Sequence, residues 1–168
     1  MLAWCPLPTN WVKLNVDGGM CNKGGFIYAG GVIRDANSCW LGGYSLNRGM
    51  GNVLDAEFWG LFEGLSYAWK AGFRNVLIES NFKSLVELLG KDEISNHPLL
   101  SIILRCKKMM NNDWNCHVRH VYRECNRLAN DMAYLGHKMD LGKLEFKDPP
   151  DEVLKTLQED YNGLVVPR

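Results

Sequence analysis

Three side chains are of a type, and in a place, that invites metal chemistry. Asp17 closes a strand-like run just ahead of Gly18-Gly19. Glu57 falls inside the apolar helical stripe of Leu54, Phe58 and Leu61. Asn81 follows the apolar segment Val76-Leu77-Ile78, where a strand would hand over to a helix. A carboxylate on a buried helix face is costly unless it is paired or bound to a cation. Oxygen donors clustered at strand ends suit hard divalent ions such as Mg2+ or Mn2+. Each residue also has a purely structural use: Asp17 as a turn former, Glu57 as a stripe-edge carboxylate, Asn81 as a helix N-cap.

Periodicity gives the elements that must position these groups. Residues 1–10 hold Pro6, Pro8 and Asn10 and read as a lead-in. Trp11 to Asp17 alternates apolar and polar residues, as a strand does. Phe26 to Arg34 is a second strand, Asp35 to Ser38 a turn, and Cys39 to Leu46 a third strand, together an antiparallel meander. From Leu54 to Gly72 the apolar spacing becomes helical. Asn75 to Glu79 is a buried strand and Phe82 to Leu89 a second helix. Leu99, Ile102, Ile103, Cys106 and Met110 mark a third helix, and Trp114 to Val121 is a fifth strand. Glu124 to Gly136 is a fourth helix, with Leu128, Met132 and Leu135 inward.

The order βββαβα(α)βα implies an α/β (mixed α+β) domain over residues 11–137, with a mixed sheet and helices on both faces. A C-terminal tail, residues 138–168, holds Pro149-Pro150 and a short helix from Asp151 to Tyr161. In open α/β sheets ligands collect at the carboxyl ends of the strands. With the first and fourth strands as parallel neighbours, Asp17 and Asn81 share such an end, and the helix after the meander can bring Glu57 over it.

Composition narrows the function classes. The chain has 168 residues, 46% hydrophobic and 23% charged, which excludes wholesale disorder and is enough for one domain with a core. Lys+Arg and Asp+Glu are 19 each, so polyanion binding must come from a local basic patch. No run approaches the ~18 apolar residues of a membrane helix, so no membrane partner is expected. The N-terminus lacks the layout of a signal peptide. Six cysteines without a C-x-x-C pair read as reduced thiols, hence an intracellular protein of cytoplasm or nucleus.

The segments Lys13-Leu14-Asn15-Val16-Asp17-Gly18, Gly30 through Asp35, Ala56-Glu57 through Leu65, Val76 through Asn81 and Val121 through Asn130 together resemble the plant ribonuclease H-like domain. That branch of the type 1 ribonuclease H family is often retroelement-derived. The resemblance runs from about Trp11 to Gly136 and continues in the tail through Pro149-Pro150, Asp160, Gly163 and Pro167-Arg168. It implies a five-stranded mixed sheet in the order 3-2-1-4-5. It also implies cleavage of the RNA strand of an RNA–DNA hybrid by two divalent ions, Mg2+ or Mn2+, held by four acids.

Carried over by motif, Asp17 and Glu57 are the first two acids and the metal ligands. The third and fourth catalytic positions hold Asn81 and Asn130. Asp131 stands next to Asn130, but one helix step is about 100°, so it points elsewhere. A one-residue shift of the helix would bring Asp131 in as a substitute and turn Leu128 and Met132 out of the core. Whether the amides are natural or engineered, half of the negative charge is missing, and an amide oxygen is a weak neutral donor. The expectation is weak or absent metal and an impaired or inactive hybrid endoribonuclease.

Arg105, Lys107 and Lys108 on the third helix, with Arg119, Arg123 and Arg127, outnumber Asp113 and Glu124 in residues 101–130. Such a region suits phosphate contacts, or is simply a solvated helix face. The resemblance places His120 near a mobile histidine that aids product release, the alternative being a structural histidine. It also places Asn47 and Asn52 in a loop that touches backbone and 2′-hydroxyl groups, the alternative being turn formers. Trp59 is two residues from Glu57 and could lie beside the groove. The expected partner is an RNA–DNA hybrid or other nucleic acid. The alternative is a catalytically silent protein-interaction module on the same scaffold.

Overall fold

A computed structural model of the chain describes residues 7–21 and 24–163. The meander is β1 (Val12–Met20), β2 (Phe26–Arg34) and β3 (Trp40–Met50), followed by α1 (Val53–Lys70). Then come β4 (Asn75–Ser80), α2 (Lys83–Leu89), α3 (Leu100–Met110), β5 (Asn115–His120) and α4 (Arg127–Lys138). The tail adds β6 (Gly142–Phe146) and α5 (Leu154–Tyr161). One mixed sheet runs β5-β4-β1-β2-β3-β6. β1 pairs antiparallel with β2 and parallel with β4, and β4 pairs parallel with β5.

The expected order 3-2-1-4-5 is present, but the sheet has a sixth strand that the expectation lacked. β6 pairs antiparallel with β3, Ser45 opposite Leu144. Its Gly-Lys-Leu-Glu-Phe lacks β-branched residues and is almost wholly exposed, so neither composition nor periodicity marks it. β3 also runs past Leu46 to Met50, because a register shift between Ile27 and Tyr28 keeps it paired with β2. Asn47 is therefore a strand residue rather than part of the loop before α1.

β1 is central and covered on both faces. Its even-numbered residues Leu14 and Val16 join Phe58, Leu61 and Leu65 of α1 in the main apolar core. Each such buried side chain contributes about 1.5–3 kcal/mol. On the other face α4 and the tail close a smaller core of Val32, Leu128, Met132 and Val153. The odd-numbered residues Lys13, Asn15 and Asp17 are nonetheless buried.

Two glycines set how closely the helices approach. A Cβ at Gly18 would sit 2.7 Å from the Ala56 carbonyl carbon and 2.8 Å from the Glu57 nitrogen. Its absence lets the first turns of α1 lie against the end of β1. A Cβ at Gly30 would sit 2.5 Å from the Ala133 nitrogen, so α4 lies directly on β2. Asn52 caps α1: its side chain accepts a hydrogen bond from the Asp55 N–H at 2.9 Å.

Candidate functional site

The close approach at Gly18 carries Glu57 to the carboxyl end of β1, where Asp17 stands. With Asn81, just past β4, and Asn130 on α4, they line one cavity of about 260 Å3, which Tyr28 and Arg123 also border. Asp17 is 6% exposed and Glu57 2%. Asn130 Nδ2 donates to Asp17 Oδ2 at 2.9 Å. Asn81 Oδ1 accepts from Asn126 Nδ2 at 2.7 Å. A larger cleft of about 650 Å3 between Trp40 and α5 has no acidic side chain in its lining.

Burial pushes the Glu57 carboxyl well above the usual carboxylate range, and the negative charge of Asp17 beside it adds to the push. Burial also raises Asp17, partly offset by hydrogen bonds from Asn130 and Glu57. Glu57 Oε2 is buried and has no hydrogen-bond partner among the described residues.

The donor set does not fit a two-ion centre. Only Asp17 and Glu57 bring charge. Asn130 turns an N–H, not an oxygen, toward Asp17, and the Asn81 oxygen is already engaged by Asn126. Among the described residues no three His, Cys, Asp or Glu side chains converge on a point that could hold a metal. Asp131 does not make up the deficit: its Oδ2 accepts from Thr156 Oγ1 at 2.6 Å, so it is turned toward the tail.

The other expected contact residues scatter. Arg123 is exposed at the cavity rim. His120 is exposed at the end of β5 with its ring edge-on to Tyr122, and it does not line the cavity. Arg105, Lys107 and Lys108 sit on α3, away from the cavity. Arg105 packs its guanidinium over Phe62, Lys107 donates to the Lys91 carbonyl, and Lys108 is exposed. Trp59 carries Arg48 stacked 3.6 Å over its ring. Asn47 and Asn52 serve the fold: Asn47 donates to the Met139 carbonyl at 3.0 Å, and Asn52 caps α1.

Sequence reasoning missed the layer behind the site. Asn126 Nδ2 also donates to the Val16 carbonyl at 2.9 Å, and Asn126 Oδ1 accepts from Asn15 Nδ2 at 3.1 Å. Asn15 Nδ2 donates as well to Glu79 Oε1 at 3.0 Å. Glu79 Oε2 lies 3.5 Å from Lys13 Nζ and accepts from Arg119 Nε at 2.7 Å. The available signal was the alternation of β1: polar residues on a strand covered on both faces must be paired with one another.

Residues 15–136 match the family described as reverse transcriptase-like. An Arabidopsis thaliana protein named as a putative ribonuclease H protein is 36% identical over the whole chain, which spans 27% of that relative's length. The N-terminal ribonuclease H domain of a Mycobacterium tuberculosis protein superposes with a TM-score of 0.70 at 25% identity, over 76% of this chain and 94% of that one. The ribonuclease H1 of Halobacterium salinarum gives 0.71 at 19%, over 76% and 98%. LC11-RNase H1, solved with an RNA/DNA hybrid, gives 0.66 at 22%, over 74% and 94%.

Proposed function

The chain belongs to the reverse transcriptase-like family of ribonuclease H-like, nucleic-acid-binding domains, and from that premise we propose that it engages RNA–DNA hybrid or related nucleic acid without efficiently cleaving it. A plant, retroelement-derived ancestry is part of this reading. The observation that carries it is the 2.9 Å hydrogen bond from Asn130 Nδ2 to Asp17 Oδ2. Two ionised carboxylates at that separation would repel and call for a cation between them. An amide N–H satisfies Asp17 from within the protein. Asp17 is thus satisfied without a divalent ion, although Glu57 Oε2 keeps no partner among the described residues and the family in general uses divalent metal.

What remains for ligand is a cavity that pairs the Asp17 and Glu57 carboxyls with two amides and the guanidinium of Arg123. Arg123 can meet a phosphate oxygen there.

The test is a gel assay of RNA–DNA hybrid cleavage in Mg2+ and in Mn2+, comparing the chain with its Asn81→Asp/Asn130→Asp double variant. The expected result is no cleavage by the chain and measurable cleavage by the double variant. Robust cleavage by the unaltered chain overturns the reading. Failure to bind hybrid at all favours the protein-interaction alternative.

A further inference from the structure

α5 lies beyond residue 136, outside the span that matches the family, yet it reaches the site through a series of buried side chains. Arg34 on β2 is 1% exposed. A guanidinium does not lose its charge in a protein, so when buried it must find a carboxylate. Glu79 is taken up by Lys13 and Arg119. Arg34 meets Asp160 of α5 instead, Nη1 to Oδ2 at 2.7 Å. Its other amine, Nη2, donates to Asn15 Oδ1 at 2.9 Å.

That bond has a consequence for every amide downstream. Arginine offers donors only, so Asn15 must turn its oxygen to Arg34 and its NH2 toward the site. Asn126 must then turn its oxygen to Asn15 and its NH2 away, where the Val16 carbonyl and Asn81 receive it. The Val16 carbonyl can only accept, which fixes the same orientation independently. Asn81 must therefore give its oxygen to Asn126, and its own NH2 is left for the cavity it lines.

We propose that Asp160 and Arg34 are positioning residues that, through Asn15 and Asn126, hold Asn81 with an N–H donor facing the cavity, where it takes an anionic phosphate oxygen of the bound nucleic acid. This rests on the nucleic-acid reading of the site only for the identity of the ligand; the orientation of the amides does not depend on it. The tail then supports the site: Asp160 holds Arg34, and Arg34 from one side and the Val16 carbonyl from the other impose the same orientation on the relay that ends at Asn81.

The experiment is side-chain amide NMR on the full, 15N-labelled chain without metal. In the unaltered chain the Asn126 NH2 protons should exchange with solvent at least about tenfold more slowly than those of the exposed Asn37. Asp160→Asn should move the Asn15, Asn126 and Asn81 NH2 resonances, and Asp160→Glu should restore them. Thr156→Val is the control, because it alters the same helix as Asp160, freeing only Asp131 of α4, and leaves the relay alone; those resonances should stay in place. Titration with a short RNA–DNA hybrid should shift the Asn81 NH2, and Asp160→Asn should weaken that binding about tenfold, the worth of one hydrogen bond to a charged oxygen.

Fast Asn126 exchange in the unaltered chain overturns the proposal even if no variant folds. So do unchanged amides in Asp160→Asn, or equal changes in Thr156→Val. An intact relay in a chain that does not bind hybrid keeps the amide orientation, while it overturns the phosphate role and the nucleic-acid reading.

Discussion

The two faces of β1 are built on opposite principles. Leu14 and Val16 point into a dry core against α1 and ask of their neighbours only that space be filled. Lys13, Asn15 and Asp17, the residues between and around them, are equally buried but point under α4, where each must find a specific partner. The apolar face is tolerant because its interactions are non-directional. The polar face is not, because a lost partner leaves a charge or an amide stranded in the interior. The candidate site grows from the demanding face.

The largest expected effect tests that asymmetry. Glu79→Ala removes the buried carboxylate shared by Lys13, Asn15 and Arg119, and should cost about 3–5 kcal/mol in urea unfolding. On the apolar face Leu14→Ala should cost somewhat less, about 2–4 kcal/mol, and Leu14→Met under about 1.5 kcal/mol. If Glu79→Ala proved milder than Leu14→Met, the contrast between the faces would collapse.

The pH dependence should differ between the faces as well. Burial pulls Lys13 down from 10.5 to about 8. The unfolded chain then holds more protons than the folded one between those values, so this group makes stability rise as pH climbs from about 8 toward 10.5. Asp17 and Glu57 are shifted upward, so the folded chain is the one that holds more protons. Their contribution is present at acidic pH and is lost as pH rises through their folded values. Unfolding curves of Lys13→Met should lack the alkaline gain, and those of Leu14→Met should keep it.

The smallest effect belongs to the surface. Lys107→Ala/Lys108→Ala lies on α3, outside the relay and outside the cavity lining. If these lysines touch phosphates, the salt dependence of hybrid binding should flatten by about one unit per lost contact, with stability nearly unchanged. An unaltered slope would assign binding to the cavity rim around Arg123.

Much of this was legible in residue types. The period change after the meander located α1, and the Leu128/Met132 stripe placed Asn130 and Asp131 on different sides of α4, as their separate partners Asp17 and Thr156 show. The polar half of β1 was legible as buried only by combining its alternation with the helices expected on both faces of the sheet. An alternating strand ordinarily turns its polar residues to water, and only a second helix layer supplied by distant sequence reverses that. β6 escaped for the converse reason, since it is exposed and has no apolar face to register. Asn52 lies in the loop before α1 as read, while Asn47 falls in β3 instead, because the register shift that prolongs β3 leaves no mark on residue type. The link from Asp160 to Arg34 joins residues 126 apart in sequence, a distance at which no local pattern speaks.

The most direct test is fluorescence anisotropy of a labelled RNA–DNA hybrid with the unaltered chain, once in EDTA and once in Mg2+, followed by recovery of the RNA. An Asp17 satisfied by Asn130 rather than by metal predicts equal affinity in both solutions and an intact RNA strand. Binding that appears only with Mg2+, no binding in either solution, or a cut strand would contradict it.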